Sequence, residues 1–278
     1  MKTIRDNTWI WGHPPGSVSG PFQLPPSQMT PMEAAAYFGA RNSFYLPMFA
    51  DVDMTKCNLG MYSLDHVGWA LECVYSHPEV IDRLFSQAER FPNISCGIFD
   101  DFFNEENAKN NSLNYTPEFL ASLRTKLHTG GVRPLEMWLV FYTKQFGKDY
   151  SHFIREFDGV SLWFWSEYEL ENYEQFCRRF FEMTPTNKRM IGVYLYNFGE
   201  KKEADLNLVK YQLDCCSSWM KDGTIDGVIL HTNAVADLGL EAVEAAKQWY
   251  DLHGDETVPG KAPAVLPRSS QIKKRSPI

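Results

Sequence analysis

Short apolar and aromatic runs recur along the chain, each followed by turn residues and then by a stretch with helical spacing. Eight runs are read as strands: Trp9 to His13, Ser43 to Phe49, Val67 to Tyr75, Ile94 to Asp101, Glu136 to Tyr142, Gly159 to Trp165, Met190 to Asn197 and Gly227 to Thr232. Thr30-Pro31-Met32-Glu33 and Thr116-Pro117-Glu118 each supply a capping hydroxyl, a first-turn proline and an early carboxylate, the signature of a helix start. Pro78 to Arg90, Glu169 to Met183, Ala204 to Lys221 and Leu240 to His253 have amphipathic spacing, whereas the link from Ala50 to His66 has none and is expected to be irregular. Strand–helix alternation implies a parallel sheet, and eight units close it into a single-domain (β/α)8 TIM barrel. An open doubly wound sheet is the alternative, and the absence of GxGxxG after the first strand counts against it. Residues 1–257 form the expected barrel. Residues 258–278, rich in proline and ending in Lys273-Lys274-Arg275, lack apolar periodicity and are expected to be a docked or disordered extension.

The period-two rule then assigns strand faces. Plain aliphatic positions, such as Val228 and Leu230, Ile191 and Val193, or Cys96 and Ile98, are expected to meet the helices. The opposite parity points into the barrel and, at strand ends, lines its mouth. It carries Trp9, Trp11 and His13; Glu72; Gly97, Phe99 and Asp101; Trp138 and Tyr142; Trp163, Trp165 and Glu167; Tyr194 and Tyr196; and His231 with Asn233 beyond it.

Composition narrows the function. A net charge of −8 argues against a nucleic-acid partner, because phosphates call for a basic face. No apolar run reaches the roughly 20 residues of a membrane span, and none near the start reads as a signal peptide, so a cytoplasmic chain is favoured unless a leader was removed. The six cysteines lack CxxC spacing and suit a reduced compartment. The sequons at Asn93, Asn110 and Asn114 read as chance matches.

The 8 Trp, 13 Tyr and 19 Phe exceed what packing requires. Aromatic rings beside carboxylates suit a saccharide, whose C–H face stacks on a ring while its hydroxyls need polar partners. Glycosidic cleavage needs two carboxyl groups, one to protonate the leaving oxygen and one as nucleophile or base. Asp101 is the first catalytic candidate, with Asp100 beside it as a like charge and Glu72 or Glu167 as partner. Trp11, His13, Tyr142, Trp163, Trp165, Tyr194, Tyr196, His231 and Asn233 are the expected substrate-binding set. The expected partner is a small-molecule or oligosaccharide substrate, with no cofactor and no metal. Two other readings stay open: a metal-dependent sugar isomerase, epimerase or lyase using Glu72, Asp101, His13 and His231, and a sugar-binding barrel without catalysis.

Three segments carry a resemblance: Trp11-Gly12-His13-Pro14, the run from Gly97 to Phe103 with its Asp-Asp-Phe-Phe, and Asp226-Gly227-Val228-Ile229 with Ala236 to Glu241. Over residues 7 to 253 the layout resembles the glycoside hydrolase barrels, and more narrowly uncharacterised bacterial barrel proteins linked to carbohydrate processing. The resemblance implies a carbohydrate-active hydrolase with its site at the C-terminal mouth. The chain departs from the large retaining clans, which end strands 4 and 7 in glutamate, by ending them in Asp100-Asp101 and Tyr196-Asn197. It also lacks the DxxDxDxE run of chitinase-like barrels.

Overall fold

Eight parallel strands pair in chain order and close on themselves in the computed structural model, which describes residues 1–48, 50–72, 74–103 and 114–259. They are β1 (Thr8–Gly12), β2 (Asn42–Tyr45), β3 (His66–Ala70), β4 (Ile94–Phe99), β5 (Glu136–Tyr142), β6 (Gly159–Trp163), β7 (Lys188–Tyr194) and β8 (Gly227–His231). Closure runs through β1 and β8, where Trp9 pairs with Ile229 and Trp11 with His231. A helix follows each strand: α1 (Pro31–Phe38), α2 (Met54–Gly60), α3 (Glu79–Arg90), α4 (Pro117–Thr129), the single turn α5 (Ser151–Ile154), α6 (Tyr173–Met183), α7 (Leu206–Lys221) and α8 (Glu241–His253). The TIM barrel expected from the alternation is therefore the observed fold. The link from Ala50 to His66, expected to be irregular, contains α2, which Asp53 caps through the Lys56 amide.

Two cores result. The larger lies between strands and helices and holds Ile10, Val67, Leu139, Leu162, Ile191, Val193, Val228 and Leu230. The smaller fills the barrel interior with Trp9, Trp11, Phe44, Cys96, Ile98, Trp138, Val140, Tyr142, Trp163, Met190 and Ile229. The expected parity holds on β1, β5, β6, β7 and β8.

It fails on β4. Cys96 and Ile98, expected against the helices, face the interior, while Phe99 joins the outer core. The cause is an irregularity in the β3–β4 ladder: Val67 pairs with Ile94, but the next residue, Gly68, pairs with Cys96, so Ser95 is extra. An inserted residue reverses the side-chain alternation after it. Asp100, rather than Asp101, thus continues the inward parity of β4.

At the other end of the barrel, Lys2–Thr3 pairs antiparallel with Thr257–Val258. Phe49, Cys73, Asn110 and the tail from 260 onward lie outside the described residues. Among the described residues, no helix is long and apolar enough to cross a membrane.

Candidate active site

The mouth has two halves. The half formed by β1, β6, β7 and β8 is aromatic. Trp11 meets Trp163 edge-on at 4.9 Å, Trp163 lies 5.2 Å from Tyr194, and Tyr194 lies 4.8 Å from His231. Trp11 and Trp163 are almost fully buried and make the floor. Trp165 is the exposed edge, 36% accessible, standing 5.9 Å from Tyr194 and stacked at 6.3 Å on Phe198.

The half formed by β3, β4 and β5 is acidic. Asp100, directly after β4, hydrogen-bonds the phenol of Tyr142, and Tyr142 in turn hydrogen-bonds Tyr194, so the acid connects to the aromatic wall. Burial first, then the Asp101 charge and the Glu72 charge, push the Asp100 carboxyl up to about 8, against the pull of the Asp101 amide and Tyr142. The Asp101 amide donates to Asp100 Oδ1 at 2.9 Å, and Asp101 itself adopts a left-handed backbone with φ 52°. Aspartate enters that region more readily than most residues, and the turn keeps the Asp101 charge close enough to act on Asp100, Tyr142 and Tyr194. Burial, and then the Asp100 charge, hold both phenols well above the ordinary tyrosine range.

The two histidines sit together, their rings 5.6 Å apart. His13 is buried, and its Nδ1 donates to the Leu46 carbonyl at 3.0 Å, which leaves Nε2 without a proton in the neutral ring. Burial depresses His13 to about 4, and burial with the neighbouring His13 lowers His231 well below the usual value. Both are therefore neutral. Buried His231 Nδ1 has no hydrogen-bond partner among the described residues.

Three expected site residues hold the frame instead. Asn233 is fully buried; its Oδ1 accepts from the His13 amide at 2.8 Å and from Thr232 Oγ1 at 3.0 Å. Its Nδ2 donates to the His13 and Met29 carbonyls at 2.9 and 2.7 Å, so it ties β8 to β1 and has no capacity left for a substrate. Tyr196 is buried and donates to the Phe22 carbonyl at 3.4 Å. Glu167 accepts from the Asp205 amide at 2.6 Å, faces Lys202 at 3.5 Å, and so anchors the loop before α7.

Residues missed in the sequence also line the aromatic half. Phe198 lies 4.7 Å from His231 and 5.5 Å from Tyr194, and extending the β7 alternation two residues beyond Tyr196 reaches it. Phe22, 4.8 Å from Phe198, comes from a one-turn helix in the β1–α1 loop that no periodic signal marks. Among the described residues, no three of His, Cys, Asp and Glu converge as a metal-holding set. The histidines and the carboxylates stand on different halves of the mouth, which separates the four donors of the metal-dependent reading.

No protein-family model and no curated protein matches the chain. Solved structures do. A glucosidase from Croceicoccus marinus shares 10% identity over 90% of this chain and 68% of its own, with a TM-score of 0.58. A ligand-free tryptophan synthase from M. tuberculosis shares 8% identity over 89% of this chain and 91% of its own, with a TM-score of 0.51. At such identities the likeness establishes the barrel fold, which hosts many chemistries, and the site must argue the rest.

Proposed function

We propose that the protein is a carbohydrate-active enzyme that hydrolyses a glycosidic bond at the C-terminal mouth of the barrel, with Asp100 as the general acid. One arrangement carries the reading: a carboxyl at a strand end, joined through Tyr142 to the aromatic half of the mouth, has its proton affinity raised by burial and by the charges of Asp101 and Glu72. A general acid needs a raised proton affinity, because it must deliver a proton to the glycosidic oxygen as the bond to the anomeric carbon breaks. The departing alcohol keeps the proton. A second carboxylate, Asp101 or Glu72, attacks the anomeric carbon or takes a proton from the attacking water. Tyr142 orients Asp100 through their hydrogen bond, and the rings of Trp165 and Tyr194 offer faces for the sugar.

Turnover of a panel of aryl glycosides by the parent, Asp100→Asn, Asp101→Asn and Glu72→Gln tests the reading, with melts to confirm folding. Asp100→Asn should lose about two orders of magnitude or more in kcat. Of the other two, the one that supplies the second carboxylate should lose a comparable factor. Full activity in Asp100→Asn would remove the acid from this position. Saccharide binding without turnover of any glycoside would instead establish a silent sugar-binding barrel.

A further inference from the structure

The aromatic half of the mouth encloses two ring nitrogens that the fold leaves open. His231, the last residue of β8, pairs with Trp11 on β1 and with Tyr194 on β7. Rings surround its own: Phe198 at 4.7 Å, Tyr194 at 4.8 Å, His13 at 5.6 Å, Trp163 at 5.9 Å and Trp11 at 6.3 Å. Only 8% of the residue is exposed, and its Nδ1 has no hydrogen-bond partner among the described residues. Such an atom has left water without gaining a protein partner, a loss that native interiors seldom keep without a use.

His13, beside it, is held at three points. Its amide donates to Asn233 Oδ1 at 2.8 Å, and its carbonyl accepts from Asn233 Nδ2 at 2.9 Å. Its Nδ1 donates to the Leu46 carbonyl at 3.0 Å. Backbone and ring are both fixed, and the lone pair on Nε2 is the ring site left for a ligand. A preorganised recognition group has this form: a frame that locks the side chain and one acceptor kept open.

The chemistry of the missing partner follows from these groups. His13 Nε2 accepts, so the ligand must bring a donor, while His231 Nδ1 can accept or donate according to its tautomer. Hydroxyls do both, and the two rings lie close enough for one hydroxyl, or two adjacent ones, to serve them. Two nitrogens are too few for a metal site, and among the described residues no third His, Cys, Asp or Glu joins them. An anionic ligand finds no counter-charge here, because burial keeps both imidazoles neutral. Lys144 lies over the Tyr142 ring at 5.3 Å, on the acidic half, in the company of Asp100, Asp101 and Glu72.

We propose that His13 and His231 form the hydroxyl-recognition subsite of the mouth, and that it takes an uncharged sugar ring. Tyr194 and Trp165 stand beside it with ring faces for the sugar's C–H surface. Placing that ring on the glycone side of a cleaved bond rests on the glycosidase reading; the binding itself does not.

Binding is measured first, without turnover. Isotope-labelled protein is titrated with glucose, galactose, mannose, xylose and glucuronate while NMR follows the histidine ring nitrogens. A neutral sugar should move the resonances of His13 Nε2 and His231 Nδ1, and glucuronate should bind at least tenfold more weakly than the tightest of them. Monodeoxy forms of that sugar are then compared on the parent, His231→Phe and His13→Phe. Phenylalanine keeps a ring in the cluster and removes its nitrogens, and melts confirm folding. In the parent, loss of the recognised hydroxyl should cost at least tenfold in affinity, because it leaves a buried nitrogen unpaired. In a folded variant that penalty should shrink to about twofold or less, whereas a merely structural histidine would weaken every deoxy form alike. Should neither variant fold, the ring-nitrogen shifts and the deoxy series on the parent decide. The inference is overturned by any of four results: no neutral sugar binds up to its solubility limit, the ring nitrogens stay unmoved, the deoxy penalty persists in the folded variants, or glucuronate binds as tightly as the neutral sugars. Binding as expected without turnover of any glycoside would keep the subsite and remove the hydrolytic reading. Turnover with no deoxy penalty would do the reverse.

Discussion

Asp100 links its chemistry to the stability of the whole chain. Its carboxyl titrates near 3.8 when free and is pushed up to about 8 in the fold, so between those values the native state holds a proton that the unfolded chain has lost. Stability therefore falls as pH rises through that window, because the native state binds more protons than the unfolded one. Removing the charge removes the slope. Asp100→Asn should melt about 3 °C or more above the parent at pH 8, with the gap closing toward pH 4, as differential scanning calorimetry would show. With Asp100 in its proposed role as general acid, kcat/KM of the parent should decline above about pH 8 as it ionises. A decline of kcat/KM with rising pH already in the ordinary carboxylate range would mean that another group is the acid, whereas a loss of activity on acidification reports the second carboxylate. His13 acts with the opposite sign. Its folded value of about 4 lies below the free value of 6.5, so the unfolded chain takes up the proton first and stability is lost as pH falls through that interval.

The strands explain both what the sequence showed and what it hid. Alternation was legible on β1, β5, β6, β7 and β8 because each runs without interruption, and it correctly turned Trp11, Tyr142, Trp163, Tyr194 and His231 inward. β4 was misread because one extra residue, Ser95, reverses the faces after it, and a ladder irregularity leaves no mark in the hydrophobic pattern. Asn233 was misassigned for a different reason. Polarity at a strand end looks the same whether the amide faces a substrate or clasps two backbones, and only the bonds to His13 and Met29 distinguish the cases. Another rule of this barrel joins neighbouring strands: a large inner ring lies across a glycine on the next strand. A β-carbon on Gly68 would come within 2.5 Å of Phe44, one on Gly159 within 2.4 Å of Trp138, and one on Gly192 within 2.1 Å of Trp163. The rings fit because those positions lack side chains. Gly192→Ala should displace Trp163, cost about 1–3 kcal/mol, and carry the disturbance to Tyr194, raising KM as well as lowering the melting temperature. A variant with a parental melt and parental KM would show that the ring yields freely.

At the scale of the molecule, the two ends of the barrel have different tasks. The C-terminal end carries the half-buried Asp100 carboxyl, the neutral histidines and the aromatic wall, where polar and charged groups are desolvated at a cost in stability. The opposite end closes the structure. There Arg5, just before β1, donates from Nη2 to the Tyr250 carbonyl at 2.7 Å and from Nε to Asp255 at 3.1 Å, and from Nη1 to the Phe38 carbonyl. Those partners belong to the C-terminal ends of α1 and α8 and to the chain just after α8, so one guanidinium joins the start of the barrel to its last helix. The ribbon of Lys2–Thr3 with Thr257–Val258 continues the same junction. Helix C-termini leave carbonyls unpaired, and a cation there satisfies them while complementing the helix dipole. Arg5→Ala strands the Phe38 carbonyl, leaves the Tyr250 carbonyl with the Gly254 amide at 2.8 Å as its donor, and removes that charge, which should destabilise the fold by about 1–3 kcal/mol. The mouth lies at the far end of the strands and shares no contact with Arg5, so kcat and KM should match the parent at temperatures where the variant is folded. Melting curves and steady-state rates on one preparation check both halves. A fall in melting temperature with unchanged kinetics is the expected result, and a matching loss of kcat in a fully folded variant would show that the two ends of the barrel are mechanically coupled.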